Sequence, residues 1–184
     1  MSLNLPSTYQ LVYNKELIAK RVAALGTSIS EWADKNSNEK EQLLCVCVLR
    51  GGSLFYSDLI REISTSVEIG FCRTWSYTTE NNQVADNAIR VAVEDISAHG
   101  RRVLVVDDIC DSGKTLNKLR NVFLELGAAE VRAAVLIHRL VDTSVFTPDW
   151  KAFEYNGSEW FVGYGMADQE RYFNLPDVYS ILPK

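Results

Sequence analysis

The sequence predicts an α/β fold, a mostly parallel central sheet flanked by helices, with a small hood over one end. Three observations carry this. Leu43 to Leu49, Val103 to Val106 and Val131 to Ile137 are short apolar runs of the length and β-branched content of buried parallel strands. Segments with apolar residues three and four apart alternate with them, as in strand–helix–strand units. From about residue 146 onward the chain becomes aromatic-rich and less periodic.

Residues 1–13 read as an irregular lead-in with one short strand near Tyr9 to Tyr13. Asn14 is a good N-cap. Ile18, Val22, Leu25, Ile29 and Trp32 then mark one face of a long helix. Asp34 to Lys40 is polar and turn-like. The run Leu43 to Leu49 ends in Arg50-Gly51-Gly52-Ser53, and a helix follows with Leu54, Phe55, Leu59 and Ile63 on its inner face. Val67 to Trp75 is a third strand. Ser76 to Asn87 is polar with no hydrophobic period and reads as a long functional loop. Ile89 to Val93 is a strand pairing back across it, and Asp95 to Arg102 a connector. The strand Val103 to Val106 runs into Asp107 and Asp108. The loop Asp111-Ser112-Gly113-Lys114-Thr115 follows, then a helix with Leu116, Leu119, Val122, Phe123 and Leu126 on one face and Gly127 as its stop. Val131 to Ile137 ends at His138-Arg139. Phe146, Trp150, Phe153, Tyr155, Trp160, Phe161, Tyr164, Tyr172, Phe173 and Tyr179 punctuate the remainder. This segment, about 146–184, is expected to form the hood together with N-terminal residues. The 184 residues are expected to be one domain.

Composition narrows the functions. A net charge of −5 weighs against general binding to nucleic acid or anionic membranes. No run has the apolar length of a membrane span, and the start of the chain lacks the pattern of a signal peptide. Cys45, Cys47, Cys72 and Cys110 form no C-x-x-C pair and read as reduced thiols of a cytoplasmic protein. With only His99 and His138 present, a multi-histidine metal site is not available.

The suspicious residues all fall at the C-terminal ends of predicted strands, where ligands collect in parallel sheets. Unpaired N–H groups at a helix start attract anions. Gly113 allows close approach, Ser112 and Thr115 add hydroxyls, and Lys114 adds charge, so a monophosphate fits loop 111–115. Gly113-Lys114-Thr115 also matches the end of the triphosphate-binding G-x-x-x-x-G-K-[ST] motif. Its first glycine, however, would fall at Asp108, whose carboxylate would stand in the triphosphate's path. Asp107 and Asp108 point to opposite faces if the strand extends through them. Two carboxylates after an apolar strand can address ribose hydroxyls, directly or through Mg²⁺-bound water.

Val103 to Thr115 resembles the ribose-phosphate motif of the type I phosphoribosyltransferases. The whole chain is similar to the hypoxanthine/guanine (6-oxopurine) branch, through Leu49-Arg50-Gly51-Gly52, Ser76-Tyr77 and Trp160-Phe161-Val162-Gly163-Tyr164-Gly165. The resemblance implies phosphoribosyl pyrophosphate and a purine base as substrates, with Mg²⁺. Ser112, Gly113, Lys114 and Thr115 would hold the 5′-phosphate, and Asp107 and Asp108 the ribose hydroxyls and metal. Leu49, Arg50, Gly51 and Gly52 would hold the pyrophosphate; in the family the peptide before the basic residue is often cis. Ser76 and Tyr77 would belong to a loop that closes over the reaction. Asp111 would take the purine N7 proton. A carboxylate of ordinary acidity is a weak base, so burial or a hydrogen bond must help it; as a structural residue, Asp111 would instead cap the next helix. Trp160 would stack on the purine, and Phe161 would offer a backbone contact to the base edge.

Two departures stand out. The family's strand-end lysine, which bonds the purine 6-oxo group, is matched by His138 beside Arg139. The family's late metal-binding aspartate falls at Ala167, with Asp168 one residue on, and Arg171 is the nearest match to a later arginine. The expected activity is salvage of hypoxanthine and/or guanine to the nucleoside monophosphate, in a homodimer or homotetramer. The alternatives are xanthine or another base, or a non-catalytic regulator of the same fold that binds phosphoribosyl pyrophosphate.

Overall fold

A computed structural model of the chain describes residues 4–34, 42–78, 84–92 and 96–181, with side chains of 75–91 not described. In chain order the elements are β1 (Tyr9–Tyr13), α1 (Lys15–Asp34), β2 (Leu43–Leu49), α2 (Ser53–Glu62), β3 (Val67–Thr78) and β4 (Val84–Ala92). They continue with β5 (Arg102–Cys110), α3 (Lys114–Glu125), β6 (Glu130–Arg139), β7 (Trp150–Tyr155), β8 (Trp160–Val162) and β9 (Val178–Ile181). The main sheet has the order β4-β3-β2-β5-β6-β7, and a second, three-stranded sheet has the order β1-β9-β8. In the main sheet only β4 is antiparallel to its neighbour. This is the expected mostly parallel α/β architecture, with the small second sheet as its hood.

Strand alternation divides the apolar residues into two cores. Cys45 and Cys47 of β2, Leu104 and Val106 of β5, and Leu136 of β6 pack with Phe55 and Leu59 of α2 and Ile18, Val22 and Ile29 of α1. Leu44, Val46 and Val48, with Val103, Val105 and Val135, face Leu116, Leu119 and Phe123 of α3 on the other side. Burial on both faces is why these strands read as continuous apolar runs. The Asn14 side chain accepts the Leu17 N–H at 2.9 Å, so it caps α1 as its position predicts. Gly127 ends α3 in a Schellman arrangement: its N–H meets Leu124 O at 2.9 Å and the Ala128 N–H meets Phe123 O at 3.0 Å. In α2 it is Tyr56, not Leu54, that joins Phe55 and Leu59 inside, and Leu126, the C-cap of α3, lies exposed.

The polar segment Ser76 to Asn87 is not one long loop. Strands β3 and β4 extend through most of it as an antiparallel pair, with Ser76 opposite Ile89 and Thr78 opposite Val84. Ladder hydrogen bonds are indifferent to side-chain polarity, so a strand pair can form without an apolar pattern. Residues 79–83 lie outside the described residues, as does nearly all of the turn expected at Asp34 to Lys40. Within the aromatic C-terminal segment, Trp150–Tyr155 joins the main sheet as β7, parallel to β6. Strands β8 and β9 leave it to pair with β1.

The connections position the site. From β2 the chain crosses through α2 to β3 on one side, and β5 lies on the other side of β2. The C-terminal ends of β2 and β5 therefore flank the point where strand order reverses, the usual ligand crevice of open α/β sheets. Among the described residues, no helix is long and apolar enough to cross a membrane.

Candidate active site

A cleft of about 450 Å³ opens at that point. The loop after β2 supplies Arg50 and Gly51; β5 and its loop supply Asp108, Ile109 and Asp111; β6 supplies Arg139. The second sheet and the turns after it supply Trp160, Phe161, Gly165, Met166, Ala167, Glu170 and Phe173. A smaller hollow of about 190 Å³ adjoins it, formed by residues Ile109 to Leu116.

That hollow is the loop 111–115. Helix α3 starts at Lys114 with Gly113 as N-cap and no side-chain cap. Asp111 is therefore not the cap, and the first N–H groups of α3 point into the hollow, as an anion requires. The Val145 N–H donates to Ser112 O at 2.9 Å and so steadies the loop from outside.

Asp107 and Asp108 lie within β5, one buried and one at the cleft, with their side chains still within hydrogen-bonding reach of each other. Asp107 is buried, with Oδ1 accepting the Asp108 N–H at 2.9 Å. Asp108 faces the cleft, and its Oδ1 accepts the Ile109 N–H at 2.8 Å. Burial, followed by the Asp108 charge, pushes the Asp107 carboxyl well above the usual aspartate range. Burial also raises Asp108, against hydrogen bonds from its surroundings that favour the anion. Neither has an Arg or Lys partner among the described residues. This is an acidic pair short of a counter-charge.

The Leu49–Arg50 peptide is cis. Asp108 lies directly against Gly51, where any Cβ would run into its carboxylate. On the opposite side Gly165, at φ +100°, lies over Gly51 O, and a Cβ there would strike that oxygen. Tyr164 donates its hydroxyl to Asp58 of α2 at 2.6 Å. The Gly163-Tyr164-Gly165 turn thus fastens the second sheet to the Arg50 loop. Arg50 itself points to the mouth of the cleft. One of its η nitrogens donates to both Glu170 carboxylate oxygens (2.7 and 2.8 Å), and its guanidinium lies 5.5 Å from the Phe173 ring centroid.

Trp160 is 66% exposed and lies at the cleft, so it is not a core residue. Its indole N–H donates to Ala167 O at 2.9 Å, which fixes the ring while leaving a face open. Phe161 behind it is buried. His138 and Arg139 alternate at the end of β6, and only Arg139 reaches the cleft. His138 is buried near Lys151 and Glu154 of β7. Burial and then the Lys151 charge lower its pKa, and its Nδ1 has no hydrogen-bond partner among the described residues. At the end of β6 it is thus Arg139, beside the expected His138, that lines the cleft. Arg139 pairs with Asp111, whose side chain is 60% exposed.

Asp168 also lies away from the cleft lining, accepting the Tyr9 hydroxyl at 2.7 Å, while Ala167 and Glu170 line it. Arg171 is exposed and bonded through its backbone to Asp168. The side chains of Ser76 and Tyr77 lie outside the described part of β3. Arg139, Met166, Gln169, Glu170 and Phe173 are among the lining residues that sequence reasoning did not single out as site residues. For Arg139 the signal was present: it is the last residue of an apolar strand, adjacent to the residue chosen.

A family model, the phosphoribosyl transferase domain, matches residues 14–169. The chain belongs to the phosphoribosyltransferase family. Hypoxanthine phosphoribosyltransferase of Haemophilus influenzae is 32% identical over 157 residues, covering 84% of this chain and 85% of that protein. Hypoxanthine-guanine phosphoribosyltransferase of Bacillus subtilis is 31% identical over 177 residues, covering 95% and 93%. Among solved structures, a hypoxanthine-guanine phosphoribosyltransferase of Bacillus anthracis superposes with a TM-score of 0.81 at 28% identity, covering 94% of this chain and 98% of that one. Within the phosphoribosyltransferases the chain is thus similar to members named for 6-oxopurines, along almost its whole length.

Proposed function

We propose that this phosphoribosyltransferase salvages 6-oxopurines. It transfers the 5-phosphoribosyl group from phosphoribosyl pyrophosphate to hypoxanthine and/or guanine, giving the nucleoside monophosphate and pyrophosphate. The observation that carries the reading is a cleft lined by Asp108, Arg50, Asp111 and Trp160 with the helix-start hollow adjoining it at Ile109 and Asp111. The 5′-phosphate sits at the start of α3, held by backbone N–H groups, Ser112 and Thr115. The ribose hydroxyls face Asp108, with Asp107 beneath it. The purine lies on the open face of Trp160 with its edge toward Arg139 and Asp111. Arg50 exchanges Glu170 for the pyrophosphate.

The residues present fit Mg²⁺. It is commonly held by one or two carboxylates with the remaining positions filled by substrate oxygens and water, not by an all-protein cage. Among the described residues Asp107 and Asp108 have no Arg or Lys partner, and no group of three or more His, Cys, Asp and Glu gathers into a cage. Bound there, the cation would offset the charge developing on the leaving pyrophosphate. Asp168, bonded to Tyr9, takes no part in this assignment.

In the displacement, purine N9 forms its bond to the anomeric carbon as the bond to the pyrophosphate oxygen breaks. The ring gains positive charge as N9 bonds, so its N7 proton becomes acidic and a weak carboxylate base suffices. Asp111 accepts that proton, and Arg50 stabilises the leaving charge. The fold leaves room for a homodimer or homotetramer, supported by apolar residues exposed on β3. Four free, buried cysteines support a reducing, cytoplasmic setting.

The test is turnover with hypoxanthine, guanine, xanthine, adenine and uracil, followed spectrophotometrically with phosphoribosyl pyrophosphate and Mg²⁺. Turnover is expected with the 6-oxopurines. A preference for xanthine would move the substrate within the branch. Tight binding of phosphoribosyl pyrophosphate with no turnover of any base would refute the enzyme reading and leave the regulator.

A further inference from the structure

A second hollow, of about 510 Å³, lies between the outer face of α3 and the segment joining β6 to β7. Helix α3 contributes Asn117, Arg120 and Leu124, and the segment contributes Val145, Phe146 and Thr147. None of these six lines the cleft or the phosphate hollow.

Three charged groups of this hollow are already committed. Arg132 donates through Nε to Glu130 at 2.6 Å, and its guanidinium lies 5.0 and 5.5 Å from the ring centroids of Trp32 and Trp150. Glu130 also accepts the Trp32 indole N–H at 3.1 Å, and Asp149 accepts the Ala133 N–H at 2.9 Å. Arg120 is exposed and has no ion pair or side-chain hydrogen bond among the described residues. The uncommitted charge is therefore positive. It shares the hollow with an amide, a hydroxyl and the exposed apolar side chains of Leu124 and Val145. A lone guanidinium suits the single charge of a carboxylate better than the nearly double charge of a phosphate ester.

The walls of this hollow also frame the phosphate loop. The Val145 N–H donates to Ser112 O at 2.9 Å. Phe146 lies so near Gly113 that a Cβ there would come within 2.6 Å of it, and the Ser144 hydroxyl donates to Phe146 O at 2.9 Å. From α3, the Asn117 N–H donates to Gly113 O at 2.9 Å. A ligand bridging helix and segment would hold that frame in one geometry. A protein already ordered by one ligand binds a second at lower entropic cost.

We propose that this hollow is an effector site for a small carboxylic acid with an apolar body. The carboxylate meets Arg120, the body lies against Leu124 and Val145, and occupancy tightens binding of phosphoribosyl pyrophosphate. The proposal rests on loop 111–115 being the 5′-phosphate site.

The four native thiols are buried, so a thiol introduced in the hollow can be labelled alone. Thr147 is exposed, and Thr147→Cys leaves both cores intact. Ellman's reagent attaches a nitrobenzoate there, an aromatic ring carrying a carboxylate. Labelling is expected to lower KM for phosphoribosyl pyrophosphate ~5-fold, the low end of ordinary coupling between sites, without changing KM for the base. Dithiothreitol should reverse the change, and Arg120→Glu in the same background should abolish it. Free 3-phenylpropionate gives a reading independent of turnover. It should slow labelling of Thr147→Cys saturably, and phosphoribosyl pyrophosphate should deepen that protection, as reciprocity requires.

An unchanged KM after complete labelling, or a gain that survives Arg120→Glu, would overturn the proposal. So would labelling that 3-phenylpropionate does not slow. Thr115→Ala tests the loop separately: losing one hydrogen bond to a charged phosphate should raise KM for phosphoribosyl pyrophosphate about tenfold. No rise there would refute the 5′-phosphate reading and the coupling with it, while protection by 3-phenylpropionate would still report on the hollow by itself.

Discussion

At the scale of single residues, the site gathers groups that are costly in the empty protein. Asp107 is the clearest. Its folded pKa is raised by burial and then by Asp108, whereas in the unfolded chain it titrates near the ordinary value of about 3.9. Above that value the unfolded chain has released the proton that the folded state still holds. The unfolded state then binds fewer protons, so stability falls as pH rises from the ordinary aspartate value through the raised one. Asparagine removes the titration and can still accept the Asp108 N–H. Asp107→Asn should therefore melt above wild type at pH 7, by about 2–4 °C for each kcal/mol relieved. The gap should close toward pH 4, and activity should fall. Melting curves across that range check it; a variant less stable than wild type at pH 7 would show that the carboxylate is not a burden. A more stable, less active variant would be the common exchange of stability for function.

At the scale of elements, the site depends on how the second sheet is seated on the first. Gly165 has φ +100°, which side chains rarely adopt, and it faces Gly51 O with no room for a methyl group. Gly165→Ala should strain the turn by ~1–3 kcal/mol. The strain is relieved most readily by shifting the Arg50 loop, so kcat/KM for phosphoribosyl pyrophosphate should fall ~10–100-fold. Unchanged kinetics would mean that the turn and the loop are not coupled. Much of this scale was legible in the sequence. The apolar runs gave β2, β5 and β6, Asn14 gave the start of α1, and Gly127 gave the end of α3. The β3–β4 pair was not legible past Trp75, because its residues lack alternation. Nor was the side of β6 that faces the cleft: His138 and Arg139 are one residue apart, and period 2 puts them on opposite sides. The same one-residue sensitivity separates Ala167 in the cleft from Asp168 bonded to Tyr9.

At the scale of the molecule, the sheet is unevenly covered. Helices α1 and α2 pack over β2, β5 and β6, while the same side of β3 is left open beside α2. Ile69 and Phe71, two residues apart on β3, are 56% and 48% exposed, and the Phe71 ring meets that of Tyr56 at a tilt, 5.9 Å between centroids. Adjacent apolar residues on a strand face form a patch that water disfavours. A second copy is the partner always present at equal concentration, and a two-fold axis lets one patch cover itself. Helix α2 starts directly after the Arg50 loop, so pairing on this face would brace the Arg50 end of the cleft. Sedimentation should give at least twice the chain's 20.7 kDa. Phe71→Asp, placed on the open face and away from both cores, should shift the protein toward the monomer and raise KM for phosphoribosyl pyrophosphate more than KM for the base. An assembly that survives this substitution would put the interface elsewhere, and a monomer with wild-type KM values would show that the Arg50 loop needs no partner to hold its shape.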